Sequence, residues 1–270
     1  YTREVTELQL DDQMPLVKNL LNYIDEQNVR FHMPGHKGGK GFSTEFLKNL
    51  AGMDITEIPG SDNLHNPEGA IAEAQSLAAQ AFEADHSYFL VNGSTCGIHA
   101  MIMAACPPGS KLLVPRNCHK SVWNALILGD IQPIYLQPGY DACRHIITQI
   151  SPQQVEKALD NHPDAAGLIL VHPNYYGMCS YIKEIAQIVH NRGKVLLVDE
   201  AHGAHFPFHP DLPPSASEAG ADLWVQSAHK TLPAFTQTAY LHGREGRVDF
   251  SRVEEILRIF QSTSPSYILM

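Results

Sequence analysis

The chain has 270 residues, of which 44% are hydrophobic and 18% charged, and its formal net charge is −10. This hydrophobic fraction supports a sizeable core and excludes disordered and fibrous proteins. The sequence has no run rich in lysine and arginine, so we expect no binding to nucleic acid. The acidic total suits either a solvated surface or a cationic small-molecule substrate.

Apolar runs and cysteines narrow the class of protein further. The longest apolar runs, such as 168–171 and 195–198, are far shorter than the roughly 18 residues of a membrane span. No basic segment followed by an apolar one opens the chain at Tyr1, so no signal peptide is predicted. The five cysteines form no Cys-x-x-Cys pair, which argues against disulfides and a thiolate zinc site. We therefore predict a cytoplasmic protein without membrane contact.

The N-terminal part predicts a helix followed by loops. Apolar residues recur at helical spacing near residues 13–26, which favours an amphipathic helix. Residues 31–39 and 59–63 are rich in glycine, proline and other turn-forming residues, and predict loops. We expect the next helix to have Asn66 as its cap and Pro67 at its first position.

After this helix, strand and helix patterns alternate. Runs such as 167–171 are continuously aliphatic, which indicates burial on both faces. The chain is therefore predicted to be an α/β protein with a mostly parallel sheet covered by helices. The predicted strands are 87–91, 111–115, 131–136, 167–172, 194–199 and 222–226, and the predicted helices lie near 97–105, 119–128, 152–160 and 181–192.

Ligands of such sheets bind beyond the carboxyl ends of the strands, so polar residues that follow the strands are candidate site residues. The first candidate is the turn at 92–97, which contains Gly93, Ser94 and Thr95. Glycine lets the backbone approach an anion, while the amides of the helix start and the two hydroxyls supply hydrogen-bond donors. This pattern predicts a phosphate-binding turn, with an ordinary capped helix start as the alternative.

Two charged residues follow other predicted strands. Asp199 ends an aliphatic strand, so its carboxylate is partly desolvated and needs a cationic or hydrogen-bonding partner. Lys230 comes after the strand at 222–226, where limited water would lower its pKa and favour Schiff-base chemistry. A structural aspartate and a solvated lysine are the alternatives.

His119 follows the strand at 111–115. Its imidazole is predicted either to lie over a planar ligand or to cap the next helix. Together, the phosphate-binding turn, Asp199 and Lys230 match the requirements of a pyridoxal 5′-phosphate (PLP) site. In such a site the phosphate anchors the ring, the carboxylate keeps the pyridine nitrogen protonated, and the lysine forms the imine.

Six sequence motifs follow one another along the chain. They are Phe31-His32-Met33-Pro34-Gly35-His36-Lys37-Gly38, Asn92-Gly93-Ser94-Thr95, Arg116-Asn117-Cys118-His119-Lys120-Ser121, Asp199-Glu200-Ala201-His202-Gly203, Ser227-Ala228-His229-Lys230-Thr231-Leu232-Pro233 and Ser262-Thr263-Ser264-Pro265-Ser266-Tyr267. From about residue 12 to its end, the sequence resembles the Orn/Lys/Arg decarboxylase family. It is most similar to the short bacterial form without the N-terminal receiver-like domain. The resemblance implies a three-layer αβα PLP-dependent transferase-like fold.

The resemblance also implies the domain organisation. Residues 1–60 would form an N-terminal helix and loop arm, and residues 61–270 the PLP-binding large domain. Family members continue into a smaller C-terminal domain that this sequence lacks, so we interpret the chain as a fragment.

The same resemblance implies a role for each candidate residue, and it assigns none of them to a metal. It also implies a homodimer or higher homo-oligomer, because the role of Thr263 involves a second subunit. Three residues would be catalytic: Lys230 would bear the internal aldimine, Asp199 would pair with the pyridinium, and His119 would stack on the ring. The phosphate would be bound by Ser94, Thr95, Ser227 and His229. His202 would lie near the ring oxygen, and Thr263 would reach a neighbouring subunit's phosphate.

The implied function is PLP-dependent decarboxylation of arginine, lysine or ornithine to the amine and CO2, within polyamine biosynthesis. Another fold-type-I PLP enzyme, such as an aminotransferase or lyase, and a non-catalytic truncated homologue stay open as alternatives. A metal hydrolase is disfavoured, because prolines and a glycine prevent the helix that would place its ligands on one face. Its candidate ligands would be Asp199, His202, His205 and His209.

Overall fold

The structure is a computed structural model that describes residues 14–270. The described chain divides into two compact units, with the division between His32 and Met33. The first unit contains helix α1 (Pro15–Asp25), which confirms the helix predicted near residues 13–26. The predicted boundary between an arm and a large domain at residue 60 stays a prediction.

The second unit contains the remaining helices and strands. Its helices are α2 (Thr44–Met53), α3 (Ala70–Ala81), α4 (Gly93–Ala105), α5 (Lys120–Leu128), α6 (Pro152–Asn161), α7 (Ile182–His190), α8 (Ala228–Thr231) and α9 (Phe250–Phe260). Its strands are β1 (His86–Leu90), β2 (Lys111–Pro115), β3 (Gln132–Leu136), β4 (Tyr140–Asp141), β5 (Ile146–Ile147), β6 (Ala165–Val171), β7 (Val195–Asp199), β8 (Leu223–Gln226) and β9 (Ala239–Gly243). All six predicted strands and all four predicted helices of the alternating region are present.

Seven strands form the central sheet in the order β1-β9-β8-β7-β6-β2-β3. Neighbours from β8 to β3 are parallel, whereas β9 is antiparallel to both β8 and β1. This confirms the prediction of a mostly parallel sheet. Because β9 is antiparallel to both of its neighbours, β1 runs in the same direction as β8. The carboxyl ends of β1, β2, β6, β7 and β8 therefore lie at one edge of the sheet.

Alternate residues of the central strands point into two different cores. Leu197 of β7 packs with residues of α4, α5 and α9, whereas Leu196 and Val198 pack on the other face with α6 and α7. All three side chains are fully buried. The strands are continuously aliphatic because, as predicted, helices cover both faces of the sheet in a three-layer αβα arrangement.

Helix α3 begins later than predicted, and the prediction that Asn66 caps it is wrong. Its N-cap is Gly69, so Pro67 lies before the first turn. The carboxylate of Asp62 accepts the N–H groups of Gly69 and Ile71 at 2.8 and 2.9 Å. An acceptor that folds back from seven residues earlier replaces the local cap.

Six elements were not predicted from the sequence: strands β4, β5 and β9 and helices α2, α8 and α9. Strand β9 (Tyr240-Leu241-His242 at its centre) lacks an aliphatic run, although all of its residues except Tyr240 are buried. Its place in the sheet comes from pairing on both sides, which sequence periodicity does not report. Within residues 14–270, no helix has the length and apolarity needed to cross a membrane.

Candidate active site

Residues at or just after the ends of four strands meet at the carboxyl edge of the sheet. Asp199 ends β7, Ser227 follows β8, His119 follows β2 and Gly93 follows β1. The Ser227 hydroxyl donates to Ser94 Oγ at 2.9 Å, which joins the ends of β1 and β8 directly. The structure therefore brings the predicted strand-end residues to one place, where ligands of open α/β sheets bind.

Asp199 is a buried carboxylate with 5% of its surface exposed. Among residues 14–270, its hydrogen-bond donor is the backbone N–H of Ala201, at 3.2 Å from Oδ1. Burial raises the pKa of Asp199, while the Ala201 amide and the charges of Lys230 and His119 act in the opposite direction. A buried carboxylate with one amide donor is suited to a cationic partner.

Lys230 lies on the short helix α8, just after the end of β8. Its Nζ is 2.9 Å from Nε2 of His202. Burial lowers the pKa of Lys230, and the charge of Asp199 partly restores it. Burial and the charge of Lys230 lower the pKa of His202 to about 4, so this ring is neutral at pH 7 and accepts a hydrogen bond from Lys230. The expected position of His202 near a ring oxygen stays a prediction.

The turn after β1 has the features of an anion site. Helix α4 starts at Gly93, whose φ of 70° is in the left-handed region that favours glycine. The N-cap residue Asn92 makes no side-chain cap, because its Oδ1 accepts from Gln237 Nε2 at 3.2 Å and its Nδ2 donates to the carbonyl of Phe260 at 2.8 Å. The first amides of α4, together with the hydroxyls of Ser94 and Thr95, are thus available as donors at the positive end of the helix.

His229 precedes Lys230 and is held by a backbone carbonyl. Its Nδ1 donates to the oxygen of Thr238 at 2.8 Å, which assigns the proton to Nδ1. Burial lowers the pKa of His229, so the free ring is neutral and its Nε2 is an acceptor. Bound phosphate would favour the protonated ring, in which both nitrogens donate.

His119 caps helix α5, which was one of its two predicted roles. Its Nδ1 accepts the backbone N–H of Ser121 at 3.3 Å and lies 2.8 Å from the Ser121 hydroxyl. The side chain is exposed. A cap uses only Nδ1, so the face of the ring stays available, and stacking on a cofactor stays a prediction.

Thr263 lies on the exposed segment that follows α9. The carbonyl of the preceding residue, Ser262, accepts a hydrogen bond from Nε2 of His65 at 2.7 Å. This contact ties the segment to the loop before α3. The expected contact of Thr263 with a second subunit stays a prediction.

Gly35 of the first motif and Gly41, three residues after that motif, pack against the segment that contains Lys230. The N–H of Gly35 donates to the carbonyl of His229 at 2.6 Å. A Cβ on Gly35 would collide with the carbonyl oxygen of Leu232, and one on Gly41 would collide with Pro233. This loop therefore packs directly against the residues on both sides of Lys230, for which glycine is required.

Sequence reasoning did not identify Glu200, Gln226, His242 and Ser87, which are buried beside the site. Glu200 and Gln226 immediately adjoin Asp199 and Ser227 in the chain. A sequence signal existed, because a polar residue within or next to a fully aliphatic strand requires a buried partner. His242 was hidden in the strand that periodicity did not predict.

In the described part of the chain, no three histidine, cysteine, aspartate or glutamate side chains are grouped so that they could hold a metal ion. The residues of the metal-hydrolase alternative are all described and form no such group. His202 instead contacts Lys230.

The family model of the Orn/Lys/Arg decarboxylase major domain matches residues 14–270. The chain belongs to the Orn/Lys/Arg decarboxylase family. Family membership agrees with the resemblance that the six motifs indicated. It places Lys230, Asp199 and the turn at Gly93 within the matched region.

Among relatives in this family, the chain is 45% identical to the uncharacterized protein YaaO of Bacillus subtilis, over 95% of this chain and 54% of YaaO. It is 42% identical to the arginine decarboxylase of Bacillus anthracis, over 96% of this chain and 53% of that protein. The chain therefore spans about half the length of these relatives.

Solved structures show the same fold. The lysine decarboxylase LdcF of Francisella novicida superposes with a TM-score of 0.74 at 26% identity, over 94% of this chain and 38% of that one. The serine palmitoyltransferase of Sphingomonas wittichii has a TM-score of 0.63 at 16% identity, over 96% of this chain and 70% of that one. The second likeness concerns the fold alone. Together they confirm the prediction of a PLP-dependent transferase-like fold.

Proposed function

We propose that this protein performs PLP-dependent decarboxylation of a basic amino acid, with release of CO2 and the corresponding amine. The proposal depends on one observation: the buried carboxylate of Asp199, which has a single amide donor, interacts electrostatically with Lys230. Burial lowers the pKa of the Lys230 amine. Decarboxylation, rather than another PLP reaction, is supported by relatives named arginine decarboxylase and lysine decarboxylase.

The residues present fit PLP in three respects. A helix start without a side-chain cap, flanked by the bonded hydroxyls of Ser94 and Ser227, suits the phosphate. A buried acceptor with one amide donor, Asp199, suits a protonated pyridine nitrogen. The half-buried amine of Lys230 suits covalent attachment of the aldehyde.

When bound, PLP would supply the electron sink that accepts the electron pair left on the substrate Cα as the carboxylate departs. In this proposal the Asp199 carboxylate holds the proton on the pyridine nitrogen. His202 orients Nζ of Lys230 by accepting one of its hydrogens. The lowered pKa of Lys230 lets Nζ give up a proton and act as a nucleophile.

The remaining binding roles belong to the same proposal. Thr95 and His229 would complete the phosphate site, with His229 taking up a proton as the phosphate binds. His119 would cover the ring with the face that its cap leaves free. Thr263 would bridge to a second copy in a homodimer or higher homo-oligomer.

Arginine, lysine and ornithine share a cationic end, which the acidic net charge of −10 would attract. We place the reaction in the cytoplasm and in polyamine biosynthesis, with residues 61–270 as the PLP-binding domain and residues 1–60 as an arm.

The first test locates the covalent link. The purified protein is saturated with PLP, reduced with borohydride, digested and mapped by mass spectrometry. We expect a pyridoxyl adduct at Lys230, loss of the adduct and of the visible absorption band in Lys230→Ala, and no change in Lys183→Ala, where the altered lysine is exposed on α7. An adduct-free Lys230 in folded, PLP-saturated protein would contradict the proposal.

The second test identifies the reaction. The PLP-loaded protein is incubated separately with arginine, lysine and ornithine, and CO2 and the amine products are measured. Equal amounts of CO2 and amine from one of these substrates are expected. Formation of a keto acid instead would indicate transamination and overturn the assignment of decarboxylation.

A further inference from the structure

Four buried polar side chains form a hydrogen-bonded series that the proposed reaction does not use, and we call them the buried polar chain. Glu200 Oε2 accepts from Gln226 Nε2 at 2.7 Å, and Gln226 Oε1 lies 3.1 Å from His242 Nε2. His242 Nδ1 lies 2.6 Å from Ser87 Oγ. At the other end, Glu200 Oε1 accepts the N–H of Ala216 at 2.8 Å. Each named side-chain atom therefore has a partner.

The buried polar chain is inaccessible to solvent. Glu200, Gln226 and His242 are fully buried, and Ser87 is 5% exposed. Burial raises the pKa of Glu200 to about 8, against the hydrogen bonds from Gln226 and Ala216. Burial also lowers the pKa of His242 to about 3, so this ring is neutral. Loss of any one member leaves the adjacent side chain buried without its partner, so the stability of each hydrogen bond depends on the others.

The members lie on three neighbouring strands and directly after the end of a fourth. Ser87 is on β1, His242 on β9 and Gln226 on β8, while Glu200 directly follows β7. The series therefore crosses the sheet from its edge to the strand that carries Asp199.

Its inner end coincides with the end of strand pairing. Asp199 and Val225 are the last paired residues of β7 and β8. Beyond them, the N–H of Glu200 donates to the carbonyl of Val225 at 2.9 Å, and the Glu200 and Gln226 side chains join the two strands. Glu200 directly follows Asp199 and Gln226 directly precedes Ser227, so this side-chain link joins the chain neighbours of two residues of the candidate site.

We propose that Glu200, Gln226, His242 and Ser87 are positioning residues that hold Asp199 against the pyridine nitrogen of PLP. This inference rests on the proposed function. The buried polar chain sets how tightly Asp199 is oriented and thereby how firmly the pyridine nitrogen keeps its proton. A role in folding alone would alter thermal stability and leave the electronic state of bound PLP unchanged.

The readout is the pH titration of the visible band of PLP linked to Lys230. A poorly oriented Asp199 stabilises the protonated pyridine less, and a neutral pyridine withdraws fewer electrons from the linkage. The linkage then becomes more basic. Breaking the buried polar chain should therefore shift the titration midpoint to higher pH, by about one unit for a severe break.

Two variants break the chain at different points. Gln226→Leu leaves Glu200 and His242 without their shared partner, so we expect the full shift and an increase of about tenfold in the Kd for PLP. Ser87→Ala removes only the outer member and should give a smaller shift in the same direction. Glu200→Gln can rebuild the series with its donors reversed, and we expect it to shift the midpoint less than Gln226→Leu.

Leu159→Ala is the control for stability. Leu159 is a buried apolar residue of α6 that takes no part in the hydrogen bonds of the buried polar chain, and its truncation should lower the Tm. We expect its titration midpoint to equal that of the unmodified protein. All variants are compared as PLP-loaded, folded proteins.

An unchanged midpoint in folded Gln226→Leu and Ser87→Ala would overturn the inference, as would an equal shift in Leu159→Ala. If Gln226→Leu does not fold, the titration midpoint of Ser87→Ala alone tests the inference. Failure of the unmodified protein to link PLP at Lys230 would instead overturn the proposed function, so the two failures are distinguishable.

Discussion

At the residue scale, the burial of the Asp199 carboxylate lowers the stability of the fold. Its carboxylate is buried with one amide donor, and burial raises its pKa. An acid whose pKa is raised in the folded state destabilises the fold at pH values above its unfolded pKa of about 3.9. The destabilisation grows as the pH rises from there to the folded pKa. A cationic partner at Asp199 would remove it, so the proposed binding of PLP would also stabilise the fold.

Replacement of this carboxylate should separate the two effects. We expect Asp199→Asn without PLP to be more stable than the unmodified protein at pH 7, by about 1 kcal/mol, because a buried charge is removed. At pH 3 the two should have the same stability. With PLP present, Asp199→Asn should lose most of the activity, and differential scanning calorimetry with and without PLP measures the stability part. A less stable PLP-free Asp199→Asn at pH 7 would contradict this account.

At the scale of elements, helix α4 carries the proposed anion site and packs closely on the sheet. Gly97 is where it does so, because a Cβ there would be 2.6 Å from Leu90 Cδ1 and 2.8 Å from Val225 Cγ2. These atoms belong to β1 and β8, the two strands whose ends the site joins. The close approach therefore sets the position of the amides that follow Gly93.

The same substitution in two helices should have opposite effects. Gly97→Ala should lower the free energy of unfolding by about 1–3 kcal/mol through overpacking, and should weaken PLP binding as α4 moves outward. Gly52→Ala in α2 adds a Cβ that meets no atom within 4 Å, so we expect a gain of about 0.5 kcal/mol with unchanged PLP binding. Urea unfolding and PLP titration measure both. Equal stability changes in the two variants would show that the contact at Gly97 is unimportant.

At the scale of the whole molecule, Asp222 joins the parts that surround the site strands. Its carboxylate is 1% exposed and accepts from Leu196 N at 2.7 Å, from His190 at 3.1 Å and from Arg247 at 3.1 Å. Burial by itself would raise the pKa of Asp222, but these partners outweigh it and lower the pKa. The Asp222 carboxylate, which lies just before β8, thus connects that strand to β7, to helix α7 and to the segment before α9.

Acid should therefore weaken the fold through Asp222. A lowered carboxyl pKa adds stability above the unfolded pKa of about 3.9, and this stability is lost as the pH falls through the folded pKa. We expect Asp222→Asn to cost about 3 kcal/mol at pH 7. The difference from the unmodified protein should shrink below about pH 4. Urea unfolding at pH 7 and pH 3 measures it, with Asp164→Asn, an exposed partner of Lys111, as a control of small effect. A cost that is the same at both pH values would exclude this role.

The sequence by itself determined the parallel sheet, its two helical layers and the strand ends at which Asp199, Lys230 and Gly93 occur. Aliphatic runs and turn residues are local signals, and a strand that is buried on both faces needs such a run wherever it lies. Only the tertiary structure decided that Asp62 caps α3, that β9 closes the sheet, that His202 contacts Lys230, and that Ser87 reaches Glu200 through two other strands. These features join residues that are distant in the chain, and no local periodicity encodes which buried donor finds which acceptor.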